Sequence, residues 1–473
     1  MMTHMAVKGG AGVEQPSWAA REMARVNLGD QRLNRRAARL LETLGAKPTV
    51  SIPAACKGWA ETQAAYRFFA QERVTVQEIL APHGECTLQR ARAYRVVLAI
   101  QDTSELDYTG KADIIGLGPL SYASQHGLHI HPTLMVTPER VPLGVFDAWN
   151  WARDPEEFGT DRGQRSIEEK ESIRWLEGYQ RVCEAQAELP ETRLVYVADR
   201  ESDIYELFAE AEKGAKPRAE LLIRASQNRC LAEGQKLWEA AASAPVLGKI
   251  TFTLPTTQTR AAREVTQALR AAQVRLKAPQ GKRKGTPVVH LTAVLAREEA
   301  PPQGVEAIEW LLLTTCAVKT FDQACEIMSW YLARWSIELF FKILKSGCKV
   351  EELQLEHVER LEPALAMYMI IAWRVLLLTT LGRECPDLPC DVVFETEEWQ
   401  AAYTVAKKAP PPAQPPALDE MVRIVASFGG FLNRKHDGFP GSKTLWIGLQ
   451  RVQDFALALA AQHASQRRSR RCV

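Results

Sequence analysis

Two short apolar runs stand out along the chain, Val96-Val-Leu-Ala-Ile100 and Leu194-Val-Tyr-Val-Ala198. Unbroken β-branched runs of this length predict central strands covered on both faces. An aspartate follows each: Asp102 after one intervening residue, Asp199 directly. In open α/β sheets functional groups gather just beyond the carboxyl ends of the strands. If these two strands are parallel and adjacent, both carboxylates share one sheet edge. Further runs at His129–Val136 and Val141–Phe146 predict a meander with the first strand. Ser166–Gln186 reads as a helix, and Arg218–Ala225 as the last strand of an α/β core. Four more runs, Ile250–Leu254, Val274–Lys277, Val288–Ala296 and Trp310–Thr314, alternate or run apolar like antiparallel strands. They predict a β insertion at about 226–314, with Gly281-Lys-Arg-Lys-Gly285 as a basic loop within it.

The remaining pattern is helical. One helix spans Tyr331 to Lys345, and at about 100° per residue Tyr331, Arg334, Trp335, Glu338, Lys342 and Lys345 fall within roughly a 100° arc. The rest of its circumference is almost wholly apolar. A single carboxylate among three cations, flanked by Trp and Tyr, suits a metal-binding acid beside a phosphate-gripping surface; a solvated ion-pair network has a similar composition. Near the start, Trp18–Leu44 and the stretch from Ser51 to Phe69 are helical and basic, with Arg32, Arg35, Arg36 and Arg67 as candidates to contact DNA. Residues 1 to about 16 carry no periodicity and read as disordered. The run Ala364–Leu381 approaches membrane-spanning length, but Arg374 near its middle favours a buried helix. Five prolines within 409–416 mark a linker, Trp446–Ala461 is amphipathic, and Arg467–Arg471 is a short basic tail expected to be disordered.

Composition narrows the class. A chain of 473 residues exceeds one compact core. The pattern divides it into a helical unit at 1–87, an α/β unit at 88–372 and a helical unit at 373–473. With a net charge of only +2, any nucleic-acid surface has to be local. The ten cysteines are scattered without zinc-ligand spacing. With no signal-peptide pattern in Met1–Val26, reduced thiols and a cytoplasmic, nucleoid-associated location are expected.

The order Asp, Asp, Glu, with Tyr-x2-Arg-x3-Glu-x6-Lys on the last helix, resembles the DDE transposases of the insertion-sequence-four family. The segments that carry the resemblance are Gln101-Asp102-Thr103-Ser104, Ala198-Asp199-Arg200-Glu201 and Tyr331 to Lys345. Leu28-Gly-Asp-Gln-Arg32, Ala65-Tyr-Arg67-Phe68, Glu169-Lys-Glu-Ser172 and Phe428-Gly-Gly-Phe431 follow in family order. The resemblance implies an RNase H-like catalytic core with a β insertion, a helical N-terminal DNA-binding domain and a helical C-terminal dimerisation domain. It implies a homodimer on double-stranded DNA, bringing together the terminal inverted repeats and target DNA, with no membrane. Asp102, Asp199 and Glu338 become the catalytic metal ligands, and Tyr331, Arg334, Lys342, Lys345 and Arg224 the phosphate-binding set. Trp310 takes the position of a tryptophan that stacks on a flipped base, with Trp335 as a second aromatic. At 409–416 the chain departs from the family, where a lysine- and arginine-rich stretch is expected.

Oxygen-only ligands from Asp and Glu select magnesium, or manganese in its place. Two such ions serve in-line phosphodiester displacement. The resemblance implies nicking to free a 3′-hydroxyl, hairpin closure, hairpin opening and joining to target DNA. Two other readings stay open: an RNase H-like nuclease without strand transfer, and an inactive transposase acting as a DNA-binding regulator.

Overall fold

The computed structural model describes residues 16–471 except 57, 112–113, 160–165, 214–216, 257–260 and 280–286, with side chains described to 462. The stretch before Pro16 and the basic loop at 281–285 lie outside the described residues. The chain opens with α1 (Trp18–Glu22), α2 (Gln31–Ala46), α3 (Ile52–Ala55), α4 (Trp59–Phe69) and α5 (Val76–Ala91). What the pattern read as two helical stretches is thus four helices before α5. Gly58 at φ +125° divides α3 from α4, a conformation closed to most side chains. Asp30 caps α2 by accepting from the Arg32 amide at 2.6 Å.

The sheet begins with β1 (Val96–Gln101), β2 (Ser104–Asp107), β3 (Gly118–Pro119), β4 (His126–Val136) and β5 (Pro142–Trp151). After α6 (Ile173–Glu188) come β6 (Arg193–Ala198), α7 (Tyr205–Lys213) and β7 (Glu220–Arg224). The expected helix from Ser166 starts only at Ile173, behind a single 3-10 turn at Ile167–Glu169. β1, β6 and β7 are parallel neighbours, with β4 antiparallel to β1 and β5 antiparallel to β4. β1 and β2 pair with the same edge of β4 in one unbroken register, Gln101 opposite Thr133 and Ser104 opposite Ile130. In that register the gap at Asp102–Thr103 faces Pro132, which has no N–H to give to a ladder.

The apolar runs are continuous because both sheet faces are covered. Val97, Ala99, Tyr196 and Ala198 face a layer with Trp175 and Tyr179 of α6 and Phe208 of α7. Leu98, Ile100, Val195 and Val197 face the opposite layer. That layer is built around α11 (Val358–Glu384), reached through α8 (Leu237–Ser243), β8 (Val246–Leu254), β9 (Arg263–Leu276), β10 (Val289–Glu298), β11 (Glu309–Thr314), α9 (Phe321–Leu332) and α10 (Trp335–Lys342). The four inserted strands do not form a separate body. β11 pairs antiparallel with β7, Leu312 opposite Arg224, and β10, β9 and β8 follow, so the insertion extends the core sheet.

Among the described residues α11 is the one helix long and apolar enough to cross a membrane, yet it is largely buried inside the protein. Arg374 within it pairs with the buried Glu398 at 2.9 Å and lies 4.5 Å over the Trp18 ring. Glu398 belongs to α12 (Thr396–Lys407), which packs with α13 (Leu418–Phe428) and α14 (Ser442–Arg471). The basic tail therefore continues α14 as helix. The proline stretch joins α12 to α13, and its last carbonyl, Pro416 O, accepts from the Cys390 amide at 2.9 Å. The divisions expected at 87/88 and 372/373 fall inside α5 and α11, two continuous helices that pack on each other and on β5. All nine described cysteines are free thiols.

Candidate active site

Asp102 and Asp199 leave the ends of adjacent parallel strands, which meets the condition for the two carboxylates to share one sheet edge. Register pairs Ile100 with Val197, two residues before each aspartate. The Asp102 side chain is only 14% exposed. Its Oδ1 accepts from the Thr103 amide at 2.9 Å, and Asp199 Oδ1 accepts from the Glu201 amide at the same distance. The second bond caps the 3-10 turn Arg200–Ser202, which holds Asp199 against its strand.

The expected single helix carrying Glu338 is interrupted. α9 ends at Leu332, Ala333 and Arg334 form a turn, α10 follows, and Ile343–Gly347 is a π-helical turn closed by the Cys348 amide on Ile343 O at 2.8 Å. π turns of this kind recur at functional sites. The arc therefore does not stay one wet face: Tyr331 is buried, whereas Trp335 is 58% exposed and Glu338 is exposed beside it.

Arg334 joins the strand ends to the helix. One guanidinium nitrogen donates to Asp102 Oδ2 at 2.6 Å and another to Glu338 Oε1 at 3.2 Å. Its guanidinium carbon also lies 5.6 Å over the Trp335 ring. Burial and then the neighbouring Asp199 charge push the Asp102 carboxyl up to about 7, with Glu338 adding, against the pull of Arg334 and the Thr103 amide. Asp102, Asp199, Glu338 and Arg334 thus share one electrostatic site. Among the described residues no three His, Cys, Asp or Glu side chains stand close enough to grip an ion as they are. The guanidinium lies between the two carboxylates that would have to converge.

A second cluster adjoins it. The Trp310 ring on β11 meets Tyr331 edge-on, 5.5 Å between centroids, and Arg224 at the end of β7 lies 5.5 Å over Trp310. Trp310 is half-buried against the core, so it serves as packing as well as a candidate stacking platform. Burial raises the Tyr331 hydroxyl above its ordinary range, opposed by Arg334 and Arg224. Lys345 points elsewhere: its ammonium donates to Glu105 O at 2.8 Å and pairs with Glu351 at 3.3 Å, beside β2. Lys342 is exposed on α10.

In the N-terminal helices, Arg32, Arg35 and Arg67 are exposed. Arg36 differs from the expectation, since it pairs with Glu61 at 2.8 Å and shares that carboxylate with Arg39. The pair ties α2 to α4, a contact between distant positions that no local pattern announces.

Residues that the pattern did not single out lie beneath the aspartates. Arg174 of α6 donates to Thr103 Oγ1 at 3.2 Å and reaches Glu201 at 3.4 Å. Thr103 Oγ1 also meets His131 Nδ1 at 3.0 Å, and His131 Nε2 meets Gln101 Oε1 at 3.1 Å. The sequence signal available was the family segment ending at Ser172, two residues before Arg174.

Two family models match the chain. One, described as transposase DNA-binding, covers residues 15–74 and so takes in α1 to α4; the other, described as the transposase Tn5 dimerisation domain, covers residues 370–468. A helical DNA-binding module, a large mixed sheet with acidic strand ends and a helical dimerisation module define a transposase. The two matches, one near each end of the chain, support a Tn5-like transposase, in keeping with the insertion-sequence-four resemblance.

Proposed function

We propose that this transposase works by cut-and-paste, with Asp102, Asp199 and Glu338 holding two magnesium ions in an RNase H-like core. Manganese would substitute. The observation that carries the reading is the meeting of Asp102 and Asp199 at adjacent parallel strand ends with Glu338, through Arg334. The core strand order supports it: β5-β4-β1-β6-β7, with only β4 antiparallel to its neighbours on both sides, fits what an RNase H-like core would require. A carboxyl raised to about 7 by burial and a neighbouring acid suits a hard cation, whose charge would draw all three carboxylates inward. Two such ions would stabilise the attacking and leaving oxygens of each in-line displacement.

The chain's own residues account for the rest. Asp102, Asp199 and Glu338 would together hold the ions. Arg334 has a fork suited to phosphate. A DNA phosphate that takes this guanidinium frees Asp102 and Glu338 in the same movement, so substrate binding and site assembly are one event. Tyr331 and Arg224 flank Arg334 as further phosphate contacts, and Trp310 offers its ring to a base displaced at the hairpin. Lys342 extends the grip along α10, and Lys345, in the π turn after it, would join only by leaving Glu105 O and Glu351. Exposed Arg32, Arg35 and Arg67 would meet the terminal inverted repeat, while α14 pairs two copies across the two ends.

The test uses the full chain and duplexes bearing the inverted repeats that flank its gene. Nicked, hairpin and joined products should appear in that order with magnesium or manganese and be absent in chelator. Nicks without hairpin or joining would indicate a plain nuclease. Binding without cleavage in either metal would indicate a regulator.

A further inference from the structure

We infer that Arg174 is a positioning residue that fixes the separation of the Asp102 and Asp199 carboxylates; the inference rests on the metal-site reading above. Arg174 comes from α6, outside both strands, yet its fork reaches the residue after Asp102 and the turn after Asp199. Nε donates to Thr103 Oγ1 at 3.2 Å, and one terminal nitrogen reaches Glu201 Oε2 at 3.4 Å. The other terminal nitrogen returns to Glu171 O at 2.6 Å, which anchors the fork to its own helix start. Both neighbours lead directly to the aspartates. The Thr103 amide holds Asp102 Oδ1, and the Glu201 amide holds Asp199 Oδ1, each at 2.9 Å. One planar group therefore ties together the two turns that aim the two carboxylates.

The side chain is built in rather than laid on. It is 12% exposed, with its guanidinium carbon 4.9 Å over the Trp151 ring and 5.5 Å over the Trp175 ring. His131 backs the same Thr103 hydroxyl at 3.0 Å and meets Trp175 edge-on at 4.4 Å. An arginine that lies over two indoles has little freedom to follow a ligand. The strand ladder cannot do this job alone, because it lapses at Asp102–Thr103. The arginine braces the position where backbone pairing stops. Groups that orient metal ligands from behind typically govern affinity by about 10–100-fold.

Arg174→Gln and Arg174→Lys test the inference in the full chain bound to a duplex carrying the element's end. Bound Mn2+ is read from the loss of the free-ion signal in electron paramagnetic resonance. Arg174→Gln should need roughly 10–100-fold more Mn2+ for half-occupancy, with end-duplex affinity within about twofold of wild type. Cleavage should recover toward the wild-type rate as Mn2+ saturates. Arg174→Lys, a point charge without the fork, should recover only part of the affinity. Thr103→Val, which removes the hydroxyl that Arg174 bonds, should shift Mn2+ affinity the same way and keeps the test alive if Arg174→Gln folds poorly. Wild-type Mn2+ affinity in Arg174→Gln and Thr103→Val would overturn the inference. So would an equal loss of cleavage at every Mn2+ concentration together with a lowered melting temperature, which marks a purely structural role. If the wild-type complex itself takes up no Mn2+, the metal site fails first, and this inference with it.

Discussion

The strand-borne aspartates and the helix-borne glutamate reach one site by opposite means. Asp102 and Asp199 are fixed from behind by a sheet buried on both faces, by a backbone N–H donating a hydrogen bond to each carboxylate and by the Arg174 brace. Glu338 sits on an eight-residue helix between a turn and a π turn, with its side chain 44% exposed and bonded through Arg334. The difference teaches that the site has a rigid half and an adjustable half. In the proposed assembly Arg334, bonded to both Asp102 and Glu338, sets when they meet.

Substitutions at the acids have the largest expected effect. Asp102→Asn, Asp199→Asn and Glu338→Gln should each slow cleavage by roughly three orders of magnitude or more, about 4 kcal/mol in the barrier, while end-duplex binding persists in gel shifts. The contrast would break if Glu338→Gln alone retained cleavage, since the adjustable half would then be dispensable. Next is Trp310, on the rigid β11 yet touching Tyr331 of the adjustable segment. Trp310→Ala should leave the first nick near normal and slow hairpin formation by about one to two orders of magnitude, given roughly 1–3 kcal/mol of base stacking. A Phe replacement should recover most of the loss. Equal slowing of both steps, with a lower melting temperature, would make Trp310 packing alone.

Protonation sharpens the contrast further. The Asp102 carboxyl is raised from its ordinary 3.8 to about 7, chiefly by burial, then by Asp199. The folded protein therefore keeps a proton that the unfolded chain releases. Stability from this group is intact below pH 4 and falls as pH rises from about 4 to 7. In metal-free protein, the melting temperature of Asp102→Asn minus that of wild type should grow across that window. Magnesium should shrink the difference. A gap that stays flat with pH would remove the burial argument. The smallest effect belongs to the N-terminal arginines, where locked and open side chains again stand side by side. Arg36→Ala should cost under about 1 kcal/mol of stability by losing Glu61 and change end-duplex affinity little. Arg32→Ala and Arg67→Ala should weaken binding and lower its salt dependence.

Much of the rigid half was legible in the sequence. Burial on both faces forces continuous apolar runs, so β1 and β6 and the aspartates after them could be read directly. Glu338 and Arg334 were legible as company on one arc. The bond from Arg334 to Asp102 was not, because it joins positions 232 residues apart. The turn at Ala333–Arg334 was hidden for a local reason: both residues keep right-handed helical dihedrals, and neither is Gly or Pro. The strands after β7 were expected as an insertion, but apolar alternation does not say which edge a strand will join. Arg174 left no trace in periodicity, since a buried arginine on an amphipathic helix looks like any solvated one. Arg36 shows the converse, a cation expected to contact DNA that pairs with Glu61.

The central claim is that two fixed aspartates and one movable glutamate form a two-ion site once DNA draws Arg334 away. Counting Mn2+ bound per chain, with and without the end-bearing duplex, tests it most directly. Wild type should take up two ions per chain in the DNA complex and bind them far more weakly alone, while Arg334→Gln should narrow that difference by tightening the DNA-free protein. Equal Mn2+ binding with and without DNA, unchanged by Arg334→Gln, would contradict the account.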